Sequence, residues 1–388
     1  MKAGQGSSAG TDLRVDGSAE VRFPVLILFG PTASGKTAIL RKIFNSLRGL
    51  SCPLLGDFQG AEIISADSMQ VYKGMDIGTA KPSKKEQADL PHHLIDICDP
   101  SQQFNAGDFV RLADNACAQI ASRGRLPVIS GGTGFYLKNF ILGLSEAPPS
   151  DKTIREQLKN ELREKGINAL ISELASCDPV SAGRIHINDE YRLLRALEVF
   201  RFSGRPLSSF EVNSQKRCPS SGAQQSKSAQ TRGDYNFVII GLSRPREELY
   251  KRINARCDEM FRQGLPEEVR SLFEAGYTPD DPGMRAIGYR EFFVEQTDID
   301  QTDNDQTDTE NDSASIESNR KRWRLSNDLN GVKALIAQNS RRYAKRQITF
   351  FAGIPNVKWI NVGDNEDETA EIIKKEIFTT NHTNQYKL

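Results

Sequence analysis

The chain has 388 residues, enough for one large or two ordinary domains, and its 51 Lys+Arg are balanced by 51 Asp+Glu. Zero net charge removes bulk basicity as an argument for a nucleic-acid partner, so any such surface must be local. No apolar run approaches the roughly 20 residues of a membrane span, and six cysteines without a C-x-x-C pair fit reduced thiols in a cytoplasmic protein better than a disulfide frame or zinc site.

Residues 1–22 are polar and rich in Gly, Ser and Ala, lack the apolar centre of a signal peptide, and read as a disordered extension. The core's first part is expected over 23–149. It opens with an apolar run at 25–29, suited to a buried strand. The run leads into Gly30-Pro31-Thr32-Ala33-Ser34-Gly35-Lys36-Thr37, after which apolar positions recur at helical spacing from 38 to 44. Strand, glycine-rich turn and helix are the context that gives a G-x-x-x-x-G-K-[ST] match its meaning. The loop's N–H groups and the helix N-terminus meet phosphate oxygens, Lys36 reaches a terminal phosphate, and Thr37 offers its hydroxyl to Mg²⁺. A di- or triphosphate is the expected ligand.

A connection punctuated by Gly and Pro spans 46–60. Residues 61–66 then read as a second strand that delivers Asp67 at its carboxyl end, where ligands of open α/β sheets collect. Asp67 is either a site acid or the cap of a turn. Residues 68–82 are polar with little periodicity and read as a surface loop, a frequent carrier of function. Residues 91–97 read as strand-like; His92-His93 has no Cys-rich or carboxylate-rich company, which favours structural hydrogen bonding over metal ligation. An amphipathic helix is expected over 105–120, with Phe109, Leu112, Ala113, Ala116 and Ile120 on one stripe. A third buried strand at 127–130 runs into Gly131-Gly132-Thr133-Gly134, where Thr133 is either a helix cap or a ligand contact.

After Pro148-Pro149 the chain turns charged and helical over 150–206, an insertion. Arg192 and Arg195 lie three apart and share a helical face, either solvated or offered to an anion. A Ser/Gln/Lys-rich flexible insertion follows at 207–233. The core continues over 234–294 with a strand at 235–242 and a helix at 247–261, on which Arg252 and Arg256 can face one target. Residues 284–290 add Arg285 and Arg290 around Gly288-Tyr289. The tract 295–324 contains a five-residue acidic repeat at 296–310 and reads as disordered. The last part, 325–388, carries a basic helix with Arg341, Arg342, Lys345 and Arg346, a strand at 357–360 and a polar tail. The elements describe an α/β fold: a P-loop NTPase-like core with a parallel sheet flanked by helices, plus a helical insertion domain.

Together, the loop 30–37, Ile64-Ser65-Ala66-Asp67-Ser68, the segment 72–82, Gly131-Gly132-Thr133, the segment 285–290 and Ala344-Lys345-Arg346-Gln347-Ile348-Thr349 resemble the bacterial tRNA dimethylallyltransferase (IPP transferase) family. The resemblance runs from about Phe23 to Ile360. It implies transfer of a five-carbon prenyl group from dimethylallyl diphosphate to the exocyclic amine of the adenine 3′ to the anticodon, with Mg²⁺ and release of diphosphate. By the same resemblance Asp67 is the general base, Thr133 and Arg256 hold the diphosphate and the transferring group, and residues 30–37 bind the diphosphate. It places Asp67, Ser68, Met69 and Gln70, Arg155, Tyr191, Arg192, Leu193, Leu194 and Arg195, and Arg285, Ala286, Ile287, Gly288, Tyr289 and Arg290 against the anticodon stem-loop of tRNA. The insertion is expected to close over the substrate, and the protein to act as a monomer. Rival readings are an isopentenyltransferase acting on free adenine nucleotides, a P-loop kinase, and an RNA-binding protein with a degenerate site. The arginine-rich C-terminal elements argue against the first, and intact Lys36, Asp67 and Thr133 against the last.

Overall fold

The computed structural model describes residues 23–45, 58, 60–210, 235–296, 322–363 and 365–379. The expected N-terminal extension, most of the 46–60 connection, nearly all of the Ser/Gln-rich insertion and the acidic repeat lie outside the described residues.

Strand β1 (Phe23–Phe29) is the axis of the architecture. Its alternate residues feed two separate apolar layers, as the two-residue repeat of a strand requires. Leu26 and Leu28 pack with Ile39, Leu40 and Ile43 of α1 (Lys36–Asn45). Val25, Ile27 and Phe29 pack on the other side with Phe109 and Val110 of α3 (Ala106–Ser122) and Phe140 of α4 (Gly134–Leu142). A strand covered on both faces reads as a continuous apolar run. Each such side chain contributes roughly 1.5–3 kcal/mol relative to exposure.

Around β1 stands a six-stranded parallel sheet in the order β3-β2-β4-β1-β5-β8. Its other strands are β2 (Ala61–Ser65), β3 (His92–His93), β4 (Leu126–Gly131), β5 (Tyr235–Ser243) and β8 (Lys358–Asn361). Helix α2 (Lys84–Asp89) precedes β3. The chain moves from β1 across β4 to β2, so the order reverses beside β1, the place where open sheets bind ligands.

The insertion comprises α5 (Lys152–Lys165), α6 (Ile167–Cys177), the single turn α7 (Pro179–Ala182) and α8 (Glu190–Ser203). It has its own apolar cluster, built on Leu158, Leu170, Leu174, Leu193 and Leu197. Gly166 at φ +75° separates α5 from α6. Helices α9 (Arg246–Arg262) and α10 (Leu265–Glu274) follow β5. Helix α11 (Leu329–Phe351) packs on α9, and α12 (Glu366–Thr379) covers α1.

Three expectations need correction. Of 91–97 only His92–His93 is strand, because Leu94 and Asp96 adopt positive φ and end it. The segment 68–82 is no loose surface loop: Val71, Tyr72 and Met75 are buried, and Lys81 donates to the Tyr72 carbonyl (2.8 Å) and to Asp76 and Asp96 (both 2.6 Å). Its polar side chains satisfy internal groups, which a hydropathy reading cannot distinguish from solvation. Finally, the boundary expected at 324 falls inside β7 (Trp323–Leu325), which pairs antiparallel with β6 (Phe293–Glu295).

Candidate active site

The phosphate loop leaves β1 and enters α1 through two left-handed residues, Ala33 (φ +63°) and Gly35 (φ +95°). Only glycine adopts that region without strain, so Ala33 marks backbone held in place by its surroundings. The restraint comes from two arginines. Arg252 Nε donates to the Ala33 carbonyl (3.1 Å), and buried Arg244 Nε donates to the Ser34 carbonyl (3.1 Å). Both guanidiniums also reach Glu366 at the start of α12, at 2.9 and 3.3 Å.

Residues 32–37 line a cavity of about 540 Å³. Gly30 and Pro31 lie buried beneath it, and their carbonyls accept from Lys36 Nζ at 2.8 and 3.0 Å. Burial lowers the Lys36 ammonium to about 8; the Asp67 carboxylate opposes the fall and the Arg256 charge adds to it. Thr37 is exposed at the cavity wall. Across the cavity, β4 delivers Gly131 and Gly132. A Cβ on Gly131 would stand 2.1 Å from the Ala66 carbonyl oxygen, so glycine here permits β2 and β4 to deliver their loops side by side.

Thr133 follows directly. As the first residue before α4 it makes no side-chain cap. Its Oγ1 instead accepts from the Ser68 N–H (2.9 Å) and donates to Ser68 Oγ (3.2 Å), tying β4's loop to the residue after Asp67. Asp67 Oδ1 accepts from the N–H groups of Met69 (2.9 Å) and Gln70 (3.4 Å), so the carboxylate caps a turn while lining the cavity. The cap and the site acid are one arrangement here.

A second cavity, about 280 Å³, adjoins the first, and the two share Thr32, Asp67, Thr79 and Arg256 in their walls. Its lining mixes apolar Ile253, Met260 and Ile336 with Arg285, Arg290, Tyr343 and Arg346. Burial depresses the Arg256 pKa, with Asp67 opposing. Tyr343 is pushed up to about 12 by burial and by Asp67, against hydrogen bonds involving Thr133 and Gln347.

The candidate RNA-facing residues divide by location. Asp67, Ser68, Met69, Arg285, Ala286, Ile287 and Arg290 line the second cavity, and Gln70 the first. Gly288 and Tyr289 do not reach it. The Gly288 N–H donates to Glu291 (2.8 Å), and Tyr289 is 0 % exposed and donates to Glu268 (2.6 Å). In the insertion, Tyr191 is 69 % exposed with Arg155 over its ring at 4.7 Å. Exposed Arg192 pairs with Asp189, whereas Leu193 and Leu194 are buried in the insertion's own core. Arg195 bonds Glu198 (2.9 Å) and the Pro148 carbonyl, so Arg192 and Arg195 have different duties despite their spacing. Of the paired histidines, His93 bonds Glu62 and His92 the Leu90 carbonyl, both at 2.6 Å.

A model of the IPP transferase family matches residues 70–353. The chain belongs to that family. Among its curated relatives, the tRNA dimethylallyltransferase of Geobacter sulfurreducens is 38 % identical over 351 residues, 90 % of this chain and 96 % of the relative. The crystal structure of the full-length tRNA isopentenylpyrophosphate transferase of Bacillus halodurans is 32 % identical, with a TM-score of 0.55 over 93 % of this chain and all of that one. A eukaryotic dimethylallyltransferase acting on tRNA, 21 % identical, shares the fold with a TM-score of 0.64 over 94 % of this chain and 81 % of that one.

Within this IPP transferase chain, several site-building residues escape a sequence reading. Glu268 accepts from the N–H groups of Asp76, Ile77 and Gly78 (3.0, 2.8 and 3.2 Å) as well as from Tyr289, and so holds the segment whose Gly78 and Thr79 line the cavities. Glu198, buried, gathers Ser150, the Asp151 N–H, Arg155 and Arg195. Gln347 joins the two glycine-rich loops. Neither local spacing nor composition reveals what these residues do, although Gln347 falls inside the family-like motif 344–349, because their partners are distant in sequence. Glu268→Ala would leave three backbone donors and a buried hydroxyl without their acceptor. A destabilisation of about 2–4 kcal/mol is expected, read from the denaturant midpoint.

Proposed function

We propose that the protein transfers a dimethylallyl group from dimethylallyl diphosphate to N6 of the adenine 3′ to the anticodon of tRNA, releasing diphosphate. The observation that carries this reading is the shared wall: one carboxylate, Asp67, and one half-buried guanidinium, Arg256, stand between a phosphate-binding cavity and an adjoining apolar and basic one. The donor's diphosphate occupies the first, and the target base enters the second.

The exocyclic amine of adenine is a weak nucleophile, because its lone pair is delocalised into the ring. As N6 attacks C1 of the dimethylallyl group, the C1–O bond breaks, the electron pair leaves with diphosphate, and Asp67 takes the proton from N6. Lys36, Arg256 and the loop N–H groups stabilise the negative charge that grows on the leaving oxygen. Mg²⁺ would fit the hydroxyl oxygen of Thr37, which lines the cavity, together with the oxygens of a bound diphosphate. Among the described residues there is no group of three or more His, Cys, Asp or Glu that could hold a metal, and Thr37 is the residue that would hold the ion together with the donor's diphosphate. Bound there it supplies charge neutralisation for the leaving group.

A base in a stacked loop must be extruded to reach such a cavity, and unpaired loops are the usual targets of base-specific RNA recognition. Arg285, Arg290 and Arg346 around the second cavity, with Tyr191 and Arg192 on the insertion, supply the phosphate and stacking contacts. Among the described residues no helix is long and apolar enough to cross a membrane. The test is a transfer assay with radiolabelled dimethylallyl diphosphate and Mg²⁺, offering unmodified tRNA, AMP, ADP or ATP. Label in tRNA alone is expected. Label in a free nucleotide would make the protein a nucleotide prenyltransferase, and ATP hydrolysis without label would make it a kinase-type enzyme.

A further inference from the structure

Helix α11 presents Tyr343, Arg346 and Gln347 at positions i, i+3 and i+4, which lie on one side of a helix. The first two line the smaller cavity and Gln347 lines the larger one, so a single helical face serves both. Gln347 is 5 % exposed, and both ends of its amide are bonded to backbone. Oε1 accepts from the Thr32 N–H at 2.9 Å, and Nε2 donates to the Gly132 carbonyl at 2.7 Å. These partners belong to the phosphate loop and to the loop that carries Thr133. The fit is close: a Cβ on Gly132 would stand 2.6 Å from Nε2.

We propose that Gln347 is a positioning residue for the donor site, which fixes the spacing of the two glycine-rich loops and ties both to the helix that lines the acceptor cavity. The inference rests on the transfer reading above. Thr32 spends its N–H on Gln347, so this amide shapes the loop for diphosphate. A hydrophobic side chain of similar volume would fill the space yet leave the half-buried Thr32 N–H and the buried Gly132 carbonyl unpaired, and the loops would lose their mutual register. A glutamate would keep the acceptor for Thr32, lose the donor to Gly132 and place negative charge beside the diphosphate.

The experiment compares wild type with Gln347→Leu and Gln347→Glu in four measurements. These are calorimetric affinity for inorganic diphosphate with Mg²⁺, affinity for unmodified tRNA, melting temperature, and donor KM and kcat at saturating tRNA. Gln347→Leu is expected to weaken diphosphate binding and raise donor KM about 10-fold or more, with tRNA affinity unchanged within twofold and a folded, cooperative melt. Gln347→Glu is expected to weaken diphosphate further at pH 8, because it adds repulsion to the lost bond. Unchanged diphosphate affinity in Gln347→Leu would overturn the proposal and leave Gln347 as core packing. Equal losses of diphosphate and tRNA affinity would overturn it too, since the residue would then support α11 as a whole. Diphosphate binding needs no turnover, so wild type that binds diphosphate without transferring a prenyl group would count against the transfer reading and leave this measurement intact.

Discussion

Asp67→Asn is expected to lower single-turnover transfer by about 10²–10⁴-fold, the usual contribution of a positioned general base, while affinity for unmodified tRNA stays within about twofold. The substitution is chosen because the carboxylate has a structural duty as well as a chemical one. Its Oδ1 receives the N–H groups of Met69 and Gln70, and an asparagine carbonyl can accept the same two bonds. The turn survives and only proton acceptance is lost. Asp67→Ala would remove both and confuse the two effects. A further consequence follows from the neighbouring cation. Asp67 is a charge that opposes the depression of the Lys36 pKa. Without it the Lys36 ammonium should titrate below its present value, so diphosphate affinity in Asp67→Asn should begin to fall at a lower pH than in wild type. Transfer within threefold of wild type would remove Asp67 from the base role. A halted transfer accompanied by lost tRNA binding would instead make it an RNA contact.

The parts of this site that are contiguous in the chain are legible in the sequence. Residues 30–37 sit between a five-residue apolar run and a helical repeat, and the structure places them between β1 and α1. The same pattern puts Asp67 and Gly131-Gly132 at strand ends, and the parallel order of β2, β4 and β1 brings those ends together. What resisted reading was everything that works through distant partners. Thr32 and Gln347 are 315 residues apart, Ile77 and Glu268 191 apart, and Arg252 and Glu366 114 apart. A single glutamine in a basic helix has no local signature that separates a buried bridge from a solvated side chain. The same limit explains the helical insertion. Arg192 and Arg195 share a face by spacing, yet only tertiary packing sends Arg195 onto Glu198 and leaves Arg192 outside. Segment 68–82 departs from the expected surface loop for a related reason: Lys81 and Thr79 are polar in composition but bond internal backbone and carboxylates.

Lys36→Met is expected to abolish donor binding and transfer while leaving the free protein at least as stable as wild type. Loss of one preorganised donor to a developing anion costs about 10²–10³ in kcat, and here the donor carries a full charge. The stability expectation comes from linkage. Unfolded, the Lys36 ammonium has its ordinary value of 10.5, and folded it lies at about 8, chiefly through burial. Between those values the unfolded chain binds more protons than the folded one, so this residue makes stability rise with pH from about 8 to about 10.5. Below pH 8 the cost of keeping the half-buried ammonium is fully present, of order 2 kcal/mol after allowance for its exposure. Methionine removes that cost at the loss of two hydrogen bonds to the Gly30 and Pro31 carbonyls. Diphosphate acts in the opposite sense on wild type. It favours the ammonium and raises its pKa on binding, so donor affinity should decline as pH rises through about 8 and onward, approaching tenfold per unit. That decline should be absent from whatever residual binding Lys36→Met shows. Calorimetric titration with inorganic diphosphate and Mg²⁺ at pH 7.0, 8.0 and 9.0 would read it directly. A slope that persists in the variant would assign the titration to another group and leave Lys36 without its place at the phosphate.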